Sequence, residues 1–171
     1  MTVPAGSGGA GTRLPNLGPR GEGWVAGQFV LLGLVAVASV PYLETIVPQT
    51  LIRWLMLVVG GAEMLIGAWA ILRAFADLGR SLTPLPRPHA EAEMVERGIY
   101  RRIRHPIYAG LILAAVGWAT VSGSPPAFAA AAALGGFMDA KARREEAWLT
   151  DRYPEYADYR TRTKRFLPGV Y

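Results

Sequence analysis

The stretch LIRWLMLVVGGAEMLIGAWAILRAFA, Leu51 to Ala76, has only three charged residues, Arg53, Glu63 and Arg73, in its 26 positions. As a helix it would reach about 39 Å, more than the roughly 30 Å hydrocarbon core of a bilayer. A similar stretch precedes it, Trp24 to Ile46, with Glu44 as its one charge and Pro41 as an interruption. The short connector contains Pro48, and together these features predict an antiparallel hairpin of two transmembrane helices. Such blocks explain how a chain of 171 residues is 51% hydrophobic and 18% charged at once.

Downstream, Asp77 to Arg104 is polar and holds Pro84, Pro86 and Pro88, so it reads as a loop, with a short helix expected around Ala90 to Glu96. Two shorter apolar stretches follow, Ile107 to Val121 and Pro125 to Met138, joined by the turn Ser122-Gly123-Ser124. Flanking residues or a thinned bilayer would let each of them span. Gly110, Ala114 and Gly117 on one, and Ala129 to Ala133, Gly135 and Gly136 on the other, predict close packing between the two. From Asp139 a polar helix is expected to Arg152, then a break near Pro154 and an amphipathic helix through Tyr156 and Tyr159 to about Lys164. Residues 1–22, rich in Gly, Pro, Ser and Thr, read as a disordered tail rather than a signal peptide.

The fold expected is therefore all-α and polytopic, with about four transmembrane helices and a C-terminal cytoplasmic amphipathic helical segment. It divides into the tail (1–22), a transmembrane hairpin (23–76) and a catalytic region (77–171). Of 18 Lys and Arg, all but Arg53 fall on one side of a four-span arrangement, and the positive-inside rule makes that side, with both termini, cytoplasmic. The formal charge of +5 thus belongs to membrane topology rather than to nucleic-acid binding. The absence of cysteine excludes disulfide frameworks, thiolate zinc sites and cysteine nucleophiles.

Two polar clusters border the second hairpin on the same side. One offers Tyr100, Arg101, Arg102, Arg104, His105 and Tyr108; the other Arg143, Arg144, Glu145, Glu146, Trp148 and Tyr153. Residue by residue, arginines at headgroups, an aromatic belt and Glu-Arg pairing along a helix account for them. Brought together by the hairpin, they suit a polar, zwitterionic ligand held at the membrane surface.

The segment Gly98-Ile99-Tyr100-Arg101-Arg102-Ile103-Arg104-His105-Pro106-Ile107-Tyr108-Ala109-Gly110 resembles a hallmark of the isoprenylcysteine carboxyl methyltransferase and phospholipid methyltransferase superfamily, G-x-Y-x-x-x-R-H-P-x-Y-x-G, at every fixed position. The segment Arg144-Glu145-Glu146-Ala147-Trp148-Leu149, followed by Tyr153, Tyr156, Tyr159 and Arg165-Phe166-Leu167-Pro168, resembles its second hallmark. The likeness covers about residues 75 to 168 and departs at Pro154, where the family commonly has glycine, so the backbone after Tyr153 is the point to check.

The resemblance implies an S-adenosylmethionine site built from both motifs, with a lipophilic acceptor entering from the bilayer. It carries Tyr100, Arg104, His105, Pro106, Tyr108, Glu145 and Glu146 into cofactor binding, and Arg104, His105, Glu145 and Glu146 into catalysis. Adjacent residues on a helix point about 100° apart, so one glutamate is expected to face the ligand, with Glu146 slightly favoured. Arg104 would grip a carboxylate bidentately. Replacing Arg104, His105 or Glu146 with Ala is expected to abolish cofactor binding in a folded protein. A lone His105 makes no metal site, and His89 reads as solvated. Two other readings are an NADPH-dependent sterol-type reductase, whose related motif has Asn where this chain has Ile107, and a membrane interaction protein without chemistry.

Overall fold

The computed structural model describes residues 15, 17–18, 21–46, 49–81 and 94–170. Among these the chain is helical, with one isolated bridge between Ile103 and Lys164. Five α-helices organise it: α1 (Glu22–Ser39), α2 (Leu51–Leu78), α3 (Pro106–Ser122), α4 (Pro125–Arg152) and α5 (Tyr156–Arg162). The boundaries follow local chemistry. Pro41 cannot continue an α-helical ladder, and the chain tightens after Ser39 into a 3-10 helix, Val40–Ile46, so the first stretch is not one regular helix to Ile46. The Thr50 hydroxyl caps α2 by accepting from Arg53 N at 3.3 Å, and the Ser124 hydroxyl caps α4 by accepting from Ala127 N at 3.2 Å. Pro106 and Pro125 open α3 and α4, where their missing N–H costs nothing.

The fourth apolar stretch and the polar helix after it are a single element. α4 runs 28 residues without a break, so a rigid rod of about 42 Å joins the apolar bundle to the polar end. The expected interruption near Pro154 is present: Tyr153 is extended and a turn leads into α5. The short helix expected around Ala90 to Glu96 does not form over Met94–Glu96; residues 82–93, with His89, and nearly all of the N-terminal tail lie outside the described residues.

Helix pairing differs from the succession in sequence. α1 packs on α4, α4 on α3 and α3 on α2, whereas α1 and α2, expected to be partners, scarcely touch among the described residues. Gly110 and Gly117 turn toward α2 rather than α4. A Cβ on Gly67 would lie 2.6 Å from Gly110 O, and one on Gly60 would lie 2.6 Å from Gly117 O, with the same distances in reverse. Two glycine pairs at matching intervals thus let the α2 and α3 backbones approach directly, which no larger residue permits.

The core lies between α1, α3 and α4, built from Val35, Ala115, Ala131, Leu134, Met138 and Ala142, with Phe166 of the C-terminal segment at its polar end. At the opposite end, Ser124 Oγ donates to Ala38 O at 2.8 Å and Arg53 Nη2 donates to Val121 O at 3.1 Å, tying α1 and α2 to the α3–α4 turn. The outer faces of α1 and α2 are apolar: Phe29, Val37, Leu51, Ile52, Leu65 and Trp69 are all exposed. Glu22–Glu44 and Leu51–Ser81 are long and apolar enough to cross a membrane, and their large side chains point outward, as suits an apolar solvent.

Candidate functional site

The polar end begins where α2 stops. Asp77, buried in the last turn of α2, pairs with Arg73 at 2.9 Å and accepts from Ile99 N at 2.8 Å, while Arg97 Nε donates to Asp77 O at 3.0 Å. Gly98 sits at φ +58 in this turn, and a Cβ there would overlap the Asp77 carboxylate. Replacing Gly98 with Ala is therefore expected to release the Gly98–Arg101 turn from α2, detectable as faster amide exchange at Ile99 and Tyr100.

From this anchor the first motif runs beside the C-terminal segment. Arg104 N donates to Lys164 O at 2.8 Å, His105 N to Arg165 O at 3.1 Å, and Lys164 N to Arg102 O at 3.1 Å. Tyr159 Oη donates to Tyr100 O at 2.7 Å. Burial raises the pKa of Tyr100 and Tyr159, so both phenols stay protonated. The two hallmark segments are thus brought together by backbone pairing as well as by the α3–α4 hairpin.

At the centre lies Glu146, 3% exposed. Arg165 grips it with Nε to Oε1 at 3.1 Å and Nη2 to Oε2 at 3.0 Å; Arg104 Nε adds a bond to Oε1 at 3.0 Å. Burial alone would raise the pKa of this carboxyl. The His105 imidazole beside it and hydrogen bonds from Arg165 and Arg104 outweigh it and hold the group well below the usual carboxylate range. Arg165 also donates to Asp139 Oδ1 at 2.7 Å, and Asp139 accepts from Arg143 at 2.7 Å. Arg104 spends Nη1 on the carbonyls of Arg160 and Thr163, which close the end of α5. Its expected bidentate grip on a ligand carboxylate is not what the geometry offers, because Nε and Nη1 are already committed.

Glu145 has a different setting. Its side chain is 23% exposed and accepts from Tyr108 Oη at 2.7 Å through Oε2. His105 stands between the two glutamates, with Nδ1 3.7 Å from Glu145 Oε2 and Nε2 3.3 Å from Glu146 Oε1. The imidazole stacks on Tyr108, centroids 5.2 Å apart, and meets the edge of Phe166. Lys141, 2% exposed, places Nζ 4.8 Å from the centre of the Tyr108 ring and donates to Gln28 Oε1 of α1 at 2.5 Å. Burial draws the pKa of Lys141 down to about 8, with Glu145 opposing the shift.

Of the residues expected in the site, Arg104, His105, Tyr108, Glu145 and Glu146 form one contiguous cluster. Tyr100 joins it through Tyr159, and Pro106 acts by starting α3. Trp148 and Tyr153 face arginines instead, with Arg144 over the indole at 4.6 Å and Arg152 over the phenol ring at 5.3 Å. From sequence, Arg165 stands within the second hallmark without a site role, and Gln28, Asp139 and Lys141 are given none either. For Arg165 the signal was its place in Arg165-Phe166-Leu167-Pro168; for Asp139 it was the i,i+4 spacing to Arg143.

Two buried polar atoms of the cluster, Tyr156 Oη and His105 Nε2, lack an aligned hydrogen-bond partner. Tyr156, 2% exposed, lies within the fields of Glu146, Glu145 and Arg104. Unsatisfied polar atoms beside a partly exposed carboxylate fit a small polar ligand with donors and acceptors of its own.

A phospholipid methyltransferase family model matches residues 55–156, which take in Asp77, both motif centres and all of α3 and α4. The chain is also similar to a probable protein-S-isoprenylcysteine O-methyltransferase of Oryza sativa subsp. indica, 29% identical over 127 residues, and equally to its counterpart in subsp. japonica. Those matches cover 72% of this chain and 66% of each rice protein. With more than half its length matched and its apolar helices in place, the chain belongs to the phospholipid methyltransferase family of membrane methyltransferases.

Proposed function

We propose that this chain is an S-adenosylmethionine-dependent methyltransferase acting on a lipophilic acceptor at the cytoplasmic face of a membrane. The observation that carries the reading is the Tyr108–Glu145–His105 group: a partly exposed carboxylate, oriented by a phenol and an imidazole, beside a buried ion cluster that fixes the backbone around it. The Gly98–Arg104 turn and residues 77–171 generally would carry the chemistry, with α1 and α2 as membrane-embedded support. In this reading all four of α1 to α4 cross the bilayer and both termini are cytoplasmic. The bias of 17 among 18 Lys and Arg to one side supports that orientation.

S-adenosylmethionine supplies a methyl group on a sulfonium, open to direct displacement. The protein therefore needs no nucleophile, and its contribution is to hold donor and acceptor in line. Glu145 would accept hydrogen bonds from ribose hydroxyls or the ammonium, and Tyr156 Oη and His105 Nε2 would gain partners. Glu146, with both oxygens engaged by arginines, would position rather than contact the ligand. Arg104 would hold the same framework. Tyr100 and Tyr108 would wall the adenosine pocket, and Pro106 would fix the start of α3.

The acceptor class is an isoprenylcysteine-like carboxylate or a phospholipid amine. A carboxylate needs no base, whereas an amine must lose a proton, for which Glu145 and His105 are the candidates. The test is transfer of labelled methyl from S-adenosylmethionine to N-acetyl-S-farnesylcysteine and, separately, to phosphatidylethanolamine vesicles. Base-labile label in the first indicates an ester; base-stable label in the second indicates an N-methyl product. Absence of transfer to either, or to a total lipid extract, would overturn the reading.

A further inference from the structure

Lys141 presents a problem in packing terms. It lies on the face of α4 that also carries the buried Leu134, Met138 and Ala142, where an aliphatic residue would fill the space without removing an ion from water. An ion so buried costs several kcal/mol unless compensated. Among the described residues no carboxylate oxygen lies within 4.0 Å of its ammonium. Its contacts are instead Gln28 Oε1 and the Tyr108 ring. Tyr108 is the residue whose phenol donates to Glu145 and whose ring stacks on His105. The contacts therefore run unbroken from α1 to the glutamate: Gln28, Lys141, Tyr108, Glu145. Gln28 stands outside the family match at 55–156.

We propose that Gln28 and Lys141 are a positioning pair through which α1 sets Tyr108, and with it Glu145, for cofactor binding. The inference rests on the functional reading above. The amide fixes the ammonium, and the ammonium fixes the ring by attraction to its face. The phenol is thereby held where it meets one oxygen of Glu145, leaving the other for ligand. On this account α1 is part of the site as well as of the membrane anchor, and displacing it weakens cofactor binding without touching the cofactor.

The experiment is calorimetric titration of S-adenosylmethionine into the detergent-purified full chain, with thermal melting of each variant. Gln28→Leu and Lys141→Met are expected to weaken affinity about tenfold; in Lys141→Met the melting midpoint holds or rises, because the buried charge itself is replaced by an apolar group, whereas Gln28→Leu lowers it by leaving the ammonium without its acceptor. Gln28→Glu retains the acceptor and is expected to keep wild-type affinity. In a Tyr108→Phe background, which lacks the bond to Glu145, neither substitution should weaken binding further. Affinity unchanged in both single variants overturns the pair, as do losses that add fully to Tyr108→Phe, or a loss in Lys141→Met that comes with a fall in melting midpoint. A wild-type chain that binds no S-adenosylmethionine overturns the functional reading as well, so the two failures are distinguishable.

Discussion

Glu146→Gln is expected to destabilise the chain by about 3–5 kcal/mol, the cost of removing one partner from a buried ion pair and leaving the others uncompensated. The size follows from the setting: the side chain is 4% exposed, and the Arg165 and Arg104 guanidinium groups, 13% and 9% exposed, would lose their shared carboxylate. Both arginines also carry the backbone pairing between the first motif and residues 164–165, so the effect is cooperative unfolding of the polar end. Glu145→Gln should cost no more than about 1.5 kcal/mol, the worth of one hydrogen bond at a partly exposed site. The contrast revises the expectation, drawn from the motif, that Glu146→Ala leaves a folded protein.

The pH dependence has a definite sign. The folded pKa of Glu146 is depressed below its ordinary 4.5, so its contribution is fully present above that pH and is lost as pH falls through the lower folded value. Melting curves in detergent between pH 7 and pH 3 should show an acid-side decline for wild type that is shallower in Glu146→Gln.

Gly67→Leu is expected to part α2 from α3. A Cβ at Gly67 already meets Gly110 O at 2.6 Å and Ala114 N at 3.0 Å, so Ala alone should cost about 1–3 kcal/mol through overpacking, and Leu more. Gly61 is the internal control, because nothing lies within 4 Å of a Cβ there. Ala at Gly61 should be neutral or stabilising by up to about 1 kcal/mol through helix propensity. The consequence reaches the site, since α2 ends in Asp77, which holds the Gly98–Arg101 turn, and α3 begins next to His105. Melting midpoints of the three variants, read with amide exchange at Ile99, test both halves of the argument.

Much of the architecture could be read from the residues because composition and caps are local. The long apolar stretches, the turn Ser122-Gly123-Ser124 ahead of Pro125 and the break at Pro154 each decide an element boundary without reference to the rest of the chain. Partner choice is not local. Gly110 and Gly117 announce a close contact, but their match in Gly60 and Gly67 at the same interval is what assigns it to α2, and only three dimensions show that α1 turns to α4.

The site divides along the same line. His105, Tyr108 and the two glutamates stand out by wording and spacing. Which glutamate is buried depends on the rotation of α4 relative to Arg165, a residue 19 positions away. Gln28 and Lys141 were invisible because their meeting spans 113 positions and rests on the α1–α4 contact.

The central claim, that Glu145 faces a cofactor in a site held by Glu146, is tested most directly by calorimetry with S-adenosylmethionine on the detergent-purified chain and on Glu145→Gln, with NADPH in parallel. The account predicts saturable binding of one S-adenosylmethionine per chain, lost in Glu145→Gln although its melting midpoint stays near wild type, and no heat from NADPH. Wild-type affinity in Glu145→Gln, or binding of NADPH in place of S-adenosylmethionine, would contradict it.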